Sequence, residues 1–194
     1  MKAVLFDMKK CSGCRACEKS CTVHAITMQK NEEGFLYPII DETKCVDCGK
    51  CTKVCPVENT KGMKPLAVYA AVHNVQKILM DSSSGGMFTA VSQPILDADG
   101  TVFGCMMDSE FSVVHQAATD ADTFARMRGS KYVQSNAMNT YLEVKNLLKI
   151  GRQVLYTGTP CQIAGLKSYL GKEYTNLLTV DLVCHGVPSP ELFK

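Results

Sequence analysis

Two runs of cysteine constrain this chain more than any other feature. Residues 10–21, KCSGCRACEKSC, and residues 44–56, KCVDCGKCTKVCP, both carry the spacing C-x2-C-x2-C-x3-C, and the second repeats the first 34 positions later. Eight of the eleven cysteines fall in these runs, at Cys11, Cys14, Cys17, Cys21, Cys45, Cys48, Cys51 and Cys55, while Cys105, Cys161 and Cys184 are scattered beyond them. Thiols this dense form disulfides, hold metal or react. The opening residues, Met1 to Asp7, have too short an apolar run for an export signal, and Thr179 and Asp181 break the later run from Leu177 to Cys184. The reading is therefore a cytoplasmic chain that does not insert in a membrane, and in a reducing compartment clustered thiols are metal ligands or catalytic groups before they are disulfides.

Zinc sites usually pair C-x2-C units across a long gap, whereas each run here puts three cysteines into seven residues. The spacing resembles that of bacterial dicluster ferredoxins, the second run even closing on Pro56. That resemblance implies two [4Fe-4S] clusters. A four-iron cube needs four converging thiolates; a curling loop grips three corners and the fourth ligand comes from the other run. One cluster would then take Cys11, Cys14, Cys17 and Cys55, the other Cys45, Cys48, Cys51 and Cys21. About 60 residues with few large apolar groups make a poor core, so the clusters are expected to supply much of this module's stability. The first run ends Cys21-Thr22 where the ferredoxin pattern has Cys-Pro, which bears on cluster environment rather than ligation. His24 reads as a surface imidazole, with tuning of a cluster potential as the alternative.

Residues 1–62 hold ten Lys/Arg against eight Asp/Glu. Two oxidised clusters, each about −2 with its thiolates, would turn that +2 into roughly −2, so the basic residues offset cluster charge. The whole chain is formally only +2, which makes nucleic acid no favoured partner.

Composition shifts near Met63, after the breaker-rich linker VENTKGMKP (57–65), so the chain divides into a ferredoxin-like domain at 1–62 and a second domain at 63–194. Between the cysteine runs, AITM (25–28) and FLYPII (35–40) read as paired strands, and helical turns are expected after Cys17 and Cys51. In the second domain LAVYAAVH (66–73) reads as a strand, GGMFTAVSQPIL (85–96) as a helix bent or restarted at Pro94, and TVFGCMM (101–107) with FSVVHQAA (111–118) as a hairpin. TYLEVKNLLKIG (140–151) is a helix, RQVLYTG (152–158) a buried strand, PCQIAGLKSYLG (160–171) a helix and LLTVDLVC (177–184) a strand. The class is α+β, a small ferredoxin-like domain followed by an α/β domain with a partly parallel mixed sheet.

Two turns carry chemical interest. Thr159 can cap the helix opened by Pro160, with Gln162 completing a capping box, so that free N–H groups face an anion or a thiolate at Cys161. In DSSSGGMF (81–88), Ser83 or Ser84 can cap the next helix and Gly85-Gly86 let a ligand approach the backbone. RMRGSKYVQS (126–135) clusters cations around a glycine, and CHG (184–186) ends a strand where ligands of open α/β sheets gather. Cys105 and the ten methionines read as core.

SSSGGMFTA (82–90), RGSKYVQS (128–135), YTGTPCQIAGLKSYL (156–170) and VDLVCHGVPSP (180–190), downstream of a dicluster ferredoxin module, resemble the coenzyme F420 hydrogenase/dehydrogenase beta-subunit family. The resemblance extends over nearly the whole chain. It implies a flavin-bearing α/β domain that passes electrons between iron–sulfur clusters and a two-electron carrier or substrate, either a partner protein or a small molecule. It also implies FAD, with Ser83, Ser84, Gly85, Gly86, Lys131, Thr157, Gly158 and Thr159 as the pocket, and Lys131 near a phosphate or the reduced flavin. Some relatives hold an extra cluster in this domain, which makes Cys161 and Cys184 candidate ligands. Ser189 and Pro190 start a helix that stops within a few residues, so a C-terminal segment that completes the flavin pocket is expected to be missing. Two further readings stay open: a non-catalytic electron carrier that docks a partner enzyme, and a metal-stabilised interaction module.

Overall fold

The computed structural model describes residues 8–59, 64–118 and 120–193. Residues 1–7, read above for an export signal, lie outside the described residues, as do the middle of the 57–65 linker and the 62/63 domain boundary.

The two cysteine runs fold alike because the same backbone bends recur. Gly13 and its counterpart Asp47 have φ of 68° and 52°, and Arg15 and Gly49 both sit at φ 68°, ψ 4°, left-handed positions that curl each loop before a helix begins. Those helices are α1 (Ala16–Ser20) and α2 (Lys50–Lys53). Helices this short take their stability from what they pack on. Between them β1 (Ile26–Lys30) and β2 (Leu36–Ile40) pair antiparallel, Ile26 opposite Ile40 and Lys30 opposite Leu36. The connecting turn is fixed by Asn31, whose Oδ1 accepts from the N–H of Phe35 at 2.8 Å. The expected strands and helical turns of this module are all present, and α3 (Pro56–Asn59) follows the last cysteine.

The second module is built on a four-stranded sheet of β3 (Thr101–Met107), β4 (Val113–Ala117), β5 (Val154–Gly158) and β6 (Leu177–Asp181), in the order β4-β3-β5-β6. The hairpin β3/β4 is antiparallel, while β3/β5 and β5/β6 are parallel, so the sheet is mixed as expected. The helices are α4 (Gln76–Met80), α5 (Met87–Asp97), α6 (Ala121–Met127), α7 (Thr140–Lys149), α8 (Pro160–Leu170) and α9 (Pro190–Phe193). Strand alternation sends Phe103, Val154 and Tyr156 into one core with Tyr141, Val144, Ile163 and Leu166 of α7 and α8. Val102 and Leu155, also fully buried, point to the opposite face, where α5 and α6 pack against β3.

The two modules share that core. Ala16 of α1 is buried in it beside Ala137 and Ile163, and Cys14 and Val54 pack against it. Polar latches surround this contact: Arg15 Nη1 donates to Asn136 Oδ1 at 2.7 Å, Lys19 Nζ to Asn139 Oδ1 at 2.9 Å, and the N–H of Leu36 to Gln134 Oε1 at 3.2 Å. Lys30 pairs with Glu191 of α9.

Several expectations change. Residues 66–73 form no strand: Leu66, Val68, Tyr69 and Val72 are exposed, and the segment is tied by the N–H of His73 to the Gly85 carbonyl at 2.7 Å. Strand-forming residues without a ladder partner gain nothing from extension. Helix α5 runs through Pro94 as one element, since a proline in the last turn removes a single N–H. Its N-cap is Gly86 at φ 75°, with no side-chain cap, so neither Ser83 nor Ser84 has that role. β6 stops at Asp181 and is only half-buried, so the sheet's edge strand does not reach Cys184. No helix among the described residues is long and apolar enough to cross a membrane.

Candidate functional site

The left-handed bends that open each helix turn three sulfurs of a run toward one cavity, and the fourth arrives from the other run. Cys11, Cys14, Cys17 and Cys55 line one cavity with Met28 and Pro38. Cys21, Cys45, Cys48 and Cys51 line another with Ile26 and Ile40. The fold gathers in these two cavities the crossed sets that the dicluster-ferredoxin resemblance implies. Backbone N–H groups point at the sulfurs, Gly13 at Cys11 at 3.5 Å and Ala25 at Cys21 at 3.3 Å.

Burial pushes the Cys14 thiol up to about 11 and the Cys17 thiol to about 12, and repulsion from neighbouring thiols adds to both. Cys11 is raised by the same causes, against the opposing N–H of Gly13. Such sulfurs resist ionising as bare thiols and release their protons only to a strongly positive centre, which is the demand that clustered iron meets. Among the described residues no three His, Cys, Asp or Glu converge on one ion position. Thiolates at the corners of a four-iron cube bind separate irons and remain apart. Four cysteines at each cavity give the number of thiolates that a four-iron cluster takes.

Cys161 belongs to this region. It stands one turn before Gly165 on α8, and it is close enough to Cys11 and Cys14 to raise their thiols. A Cβ at Gly165 would lie 3.1 Å from Cys14 Sγ and 3.0 Å from Tyr141 Oη, so the glycine lets the helix seat on the cysteine loop. Cys184 lies past the end of β6 in an irregular segment. His24 is exposed, in a turn after Cys21 with φ 51°.

A third cavity, of about 460 Å³, opens where β3, β5 and β6 end. Ser83, Ser84, Gly85, Gly86, Thr157 and Gly158 line it, together with the apolar Phe88, Val91, Met127, Val180 and Leu182. Six of the eight residues suggested for the flavin pocket are brought together there. The uncapped start of α5 adds free N–H groups at one wall. Ser83 instead clasps two loops: its Oγ accepts from the N–H of Ser130 at 3.0 Å.

Thr159 and Lys131 stand outside the lining. The Thr159 N–H donates to Gln162 Oε1 at 3.0 Å, completing the expected capping box, and its Oγ1 lies 3.1 Å from Cys161 Sγ. Lys131 Nζ donates to the carbonyls of Arg126, Met127 and Arg128 at 2.9, 2.9 and 2.8 Å, closing the end of α6. Burial lowers its pKa, and the nearby Cys105 thiol opposes that.

Two residues that sequence reading passed over matter here. Arg128 lines the cavity, three positions before the lysine that the motif had singled out. His115, in β4, is 2% exposed and its Nε2 lies 3.1 Å from the carbonyl oxygen of Thr157, beneath the cavity wall. Burial holds it neutral with a pKa of about 4. In the sequence it was one polar residue in an alternating strand, with no spacing to mark it.

Residues 10–59 match the 4Fe-4S dicluster domain family, and a second dicluster family overlaps this at residues 37–97. The overlap describes one module, since no cysteine lies between Cys55 and Cys105. Residues 151–194 match the family describing the C terminus of the coenzyme F420 hydrogenase/dehydrogenase beta subunit. The beta-subunit resemblance is borne out. The chain is an iron–sulfur electron-transfer protein similar to those beta subunits. The matched C-terminal stretch contains β5, α8 and β6, and it supplies Thr157, Gly158, Val180 and Leu182 to the cavity wall. No curated protein matches the chain.

Proposed function

We propose that this chain is a cytoplasmic iron–sulfur flavoprotein oxidoreductase, in which two [4Fe-4S] clusters exchange electrons with an FAD-linked two-electron donor or acceptor. The observation that supports the reading is the placement of a cysteine cavity and a cavity of about 460 Å³ on either side of the β5-α8 turn and helix. Gly158 lines the larger cavity, Thr159 caps the helix, and Gly165 further along the same helix packs on Cys14 of the cysteine cavity.

Cys11, Cys14, Cys17 and Cys55 would hold one cluster, and Cys21, Cys45, Cys48 and Cys51 the other. Bound flavin would supply the change between one-electron and two-electron chemistry. The chain's own residues do the rest. Phe88, Val91 and Met127 offer apolar walls to a ring system, Gly85 and Gly86 let the backbone approach it, and the free N–H groups of α5 favour its negative charge. His115 fixes the Thr157 peptide from below without adding charge.

Anaerobic purification followed by iron, sulfide and acid-released flavin per chain tests the proposal. About eight irons, about eight sulfides and one FAD are expected. Flavin absent from a cluster-loaded chain would shift the assignment to an electron carrier without catalytic flavin, and zinc in place of iron would end both.

A further inference from the structure

We infer that Arg128 is the anion-binding side chain of the cavity at the strand ends, and that it takes the phosphate or pyrophosphate of the ligand bound there. The inference deepens the flavin proposal and names a residue for which neither the motif nor the matched families give a role.

The three cations of RMRGSKY divide by their partners, and Arg126 Nη2 donates to the Met107 carbonyl at 2.8 Å. Lys131 is occupied by three carbonyls at the end of α6, so its charge is spent within the fold. Arg128 is different. It lines the cavity, its Nε is buried, and that N–H has no acceptor among the described residues. A buried guanidinium donor left without an acceptor is costly, and most such groups are paired.

The guanidinium is also held in place. Its Cζ lies 5.3 Å from the centroid of the Phe124 ring, and Phe124 in turn stacks on Phe88 with centroids 5.3 Å apart. Phe88 sits in the first turn of α5, and Arg128 lines the same cavity as the uncapped start of that helix. Stacking fixes the plane of a guanidinium while leaving its edge free for hydrogen bonds. An anion with two adjacent oxygens can accept from neighbouring N–H groups along one edge of a guanidinium, which is the fork that suits phosphate. Gly129, at φ 81°, turns the chain behind the arginine, and Ser130 is clasped to Ser83. The two loops therefore meet around one charge.

The ligand's own pyrophosphate and a phosphate on a second substrate share this chemistry, and binding measurements separate them. The full chain, loaded with iron and sulfide and stripped of flavin, is titrated with FAD, FMN, riboflavin and inorganic pyrophosphate. Arg128→Met and Arg128→Lys are compared with it. FAD affinity is expected to fall on the order of tenfold or more in Arg128→Met, because a charge-assisted pair is lost, while riboflavin binding stays within about twofold. Arg128→Lys keeps the charge without the fork and is expected to fall between. Pyrophosphate should compete with FAD in the parent chain and lose that ability in Arg128→Met.

Equal weakening of FAD and riboflavin, or of neither, overturns the inference. Pyrophosphate that binds through Arg128 without competing with FAD supports the anion site and assigns it to a second ligand. If the parent chain binds no flavin, the flavin proposal fails, and direct pyrophosphate binding then decides Arg128 alone: loss in Arg128→Met supports it, and no binding by the parent chain overturns it. Should Arg128→Met fail to take up iron, Arg128→Lys carries the comparison.

Discussion

At the residue scale the largest effects come from polar groups placed where water cannot help them. His115 stacks on Tyr156 with ring centroids 5.6 Å apart, and its Nδ1 is buried with no partner among the described residues. Its folded pKa of about 4 lies below the ordinary 6.5, so between those values the unfolded chain takes up a proton that the folded chain refuses. Stability is thus intact above pH 6.5 and declines as the pH falls toward 4, by up to about 3 kcal/mol at the limit. His115→Gln should flatten that slope by about one proton. Urea unfolding of the cluster-loaded chain at several pH values checks it, and an unchanged slope would remove His115 as the cause. Neither the burial nor the neutral state of this histidine was legible in VVHQA, since both come from what α7, β3 and β5 place around it.

At the scale of elements, the ends of helices do most of the work near the site. Helix α8 begins with a complete capping box that spacing alone foretold, because Thr159, Pro160 and Gln162 act on their own neighbours. Helix α5 begins with a bare glycine, against the expectation of a serine cap, because Ser83 is drawn to Ser130 instead. Helix α6 ends on Lys131. Replacing that lysine by methionine leaves three carbonyls without their donor and should cost about 1–3 kcal/mol of stability, read as a lowered thermal midpoint. Because the lysine stands outside the cavity lining, the ratio of FAD to riboflavin affinity should hardly move, in contrast to Arg128→Met. A selective loss of FAD would return Lys131 to the role of phosphate ligand.

At the scale of the whole molecule, the cysteine module is a wedge against the sheet module. Ala16 enters the core of α7 and α8, Gly165 admits Cys14, and Asn136, Asn139 and Gln134 hold the rim. Anaerobic iron chelation should therefore loosen residues 8–59 and, through them, the N-terminal half of α8, while β3 and β5 keep their amide protection. Hydrogen exchange by mass spectrometry reads this directly, and even protection throughout would show that the clusters are not structural. The sequence by itself determined the two repeated cysteine runs, the two hairpins, the parallel β5-α8-β6 unit and the cap of α8. Each of these follows from spacing or from residues adjacent in the chain, where local chemistry has no competitor. Only the tertiary structure decided that residues 66–73 form no strand, that Lys131 is spent on α6 and that Arg128 faces the cavity. It alone set Gly165 of α8 against Cys14. Those outcomes depend on which distant group reaches a polar atom or an apolar face first, and that competition is settled by packing across more than a hundred residues rather than by any stretch of sequence.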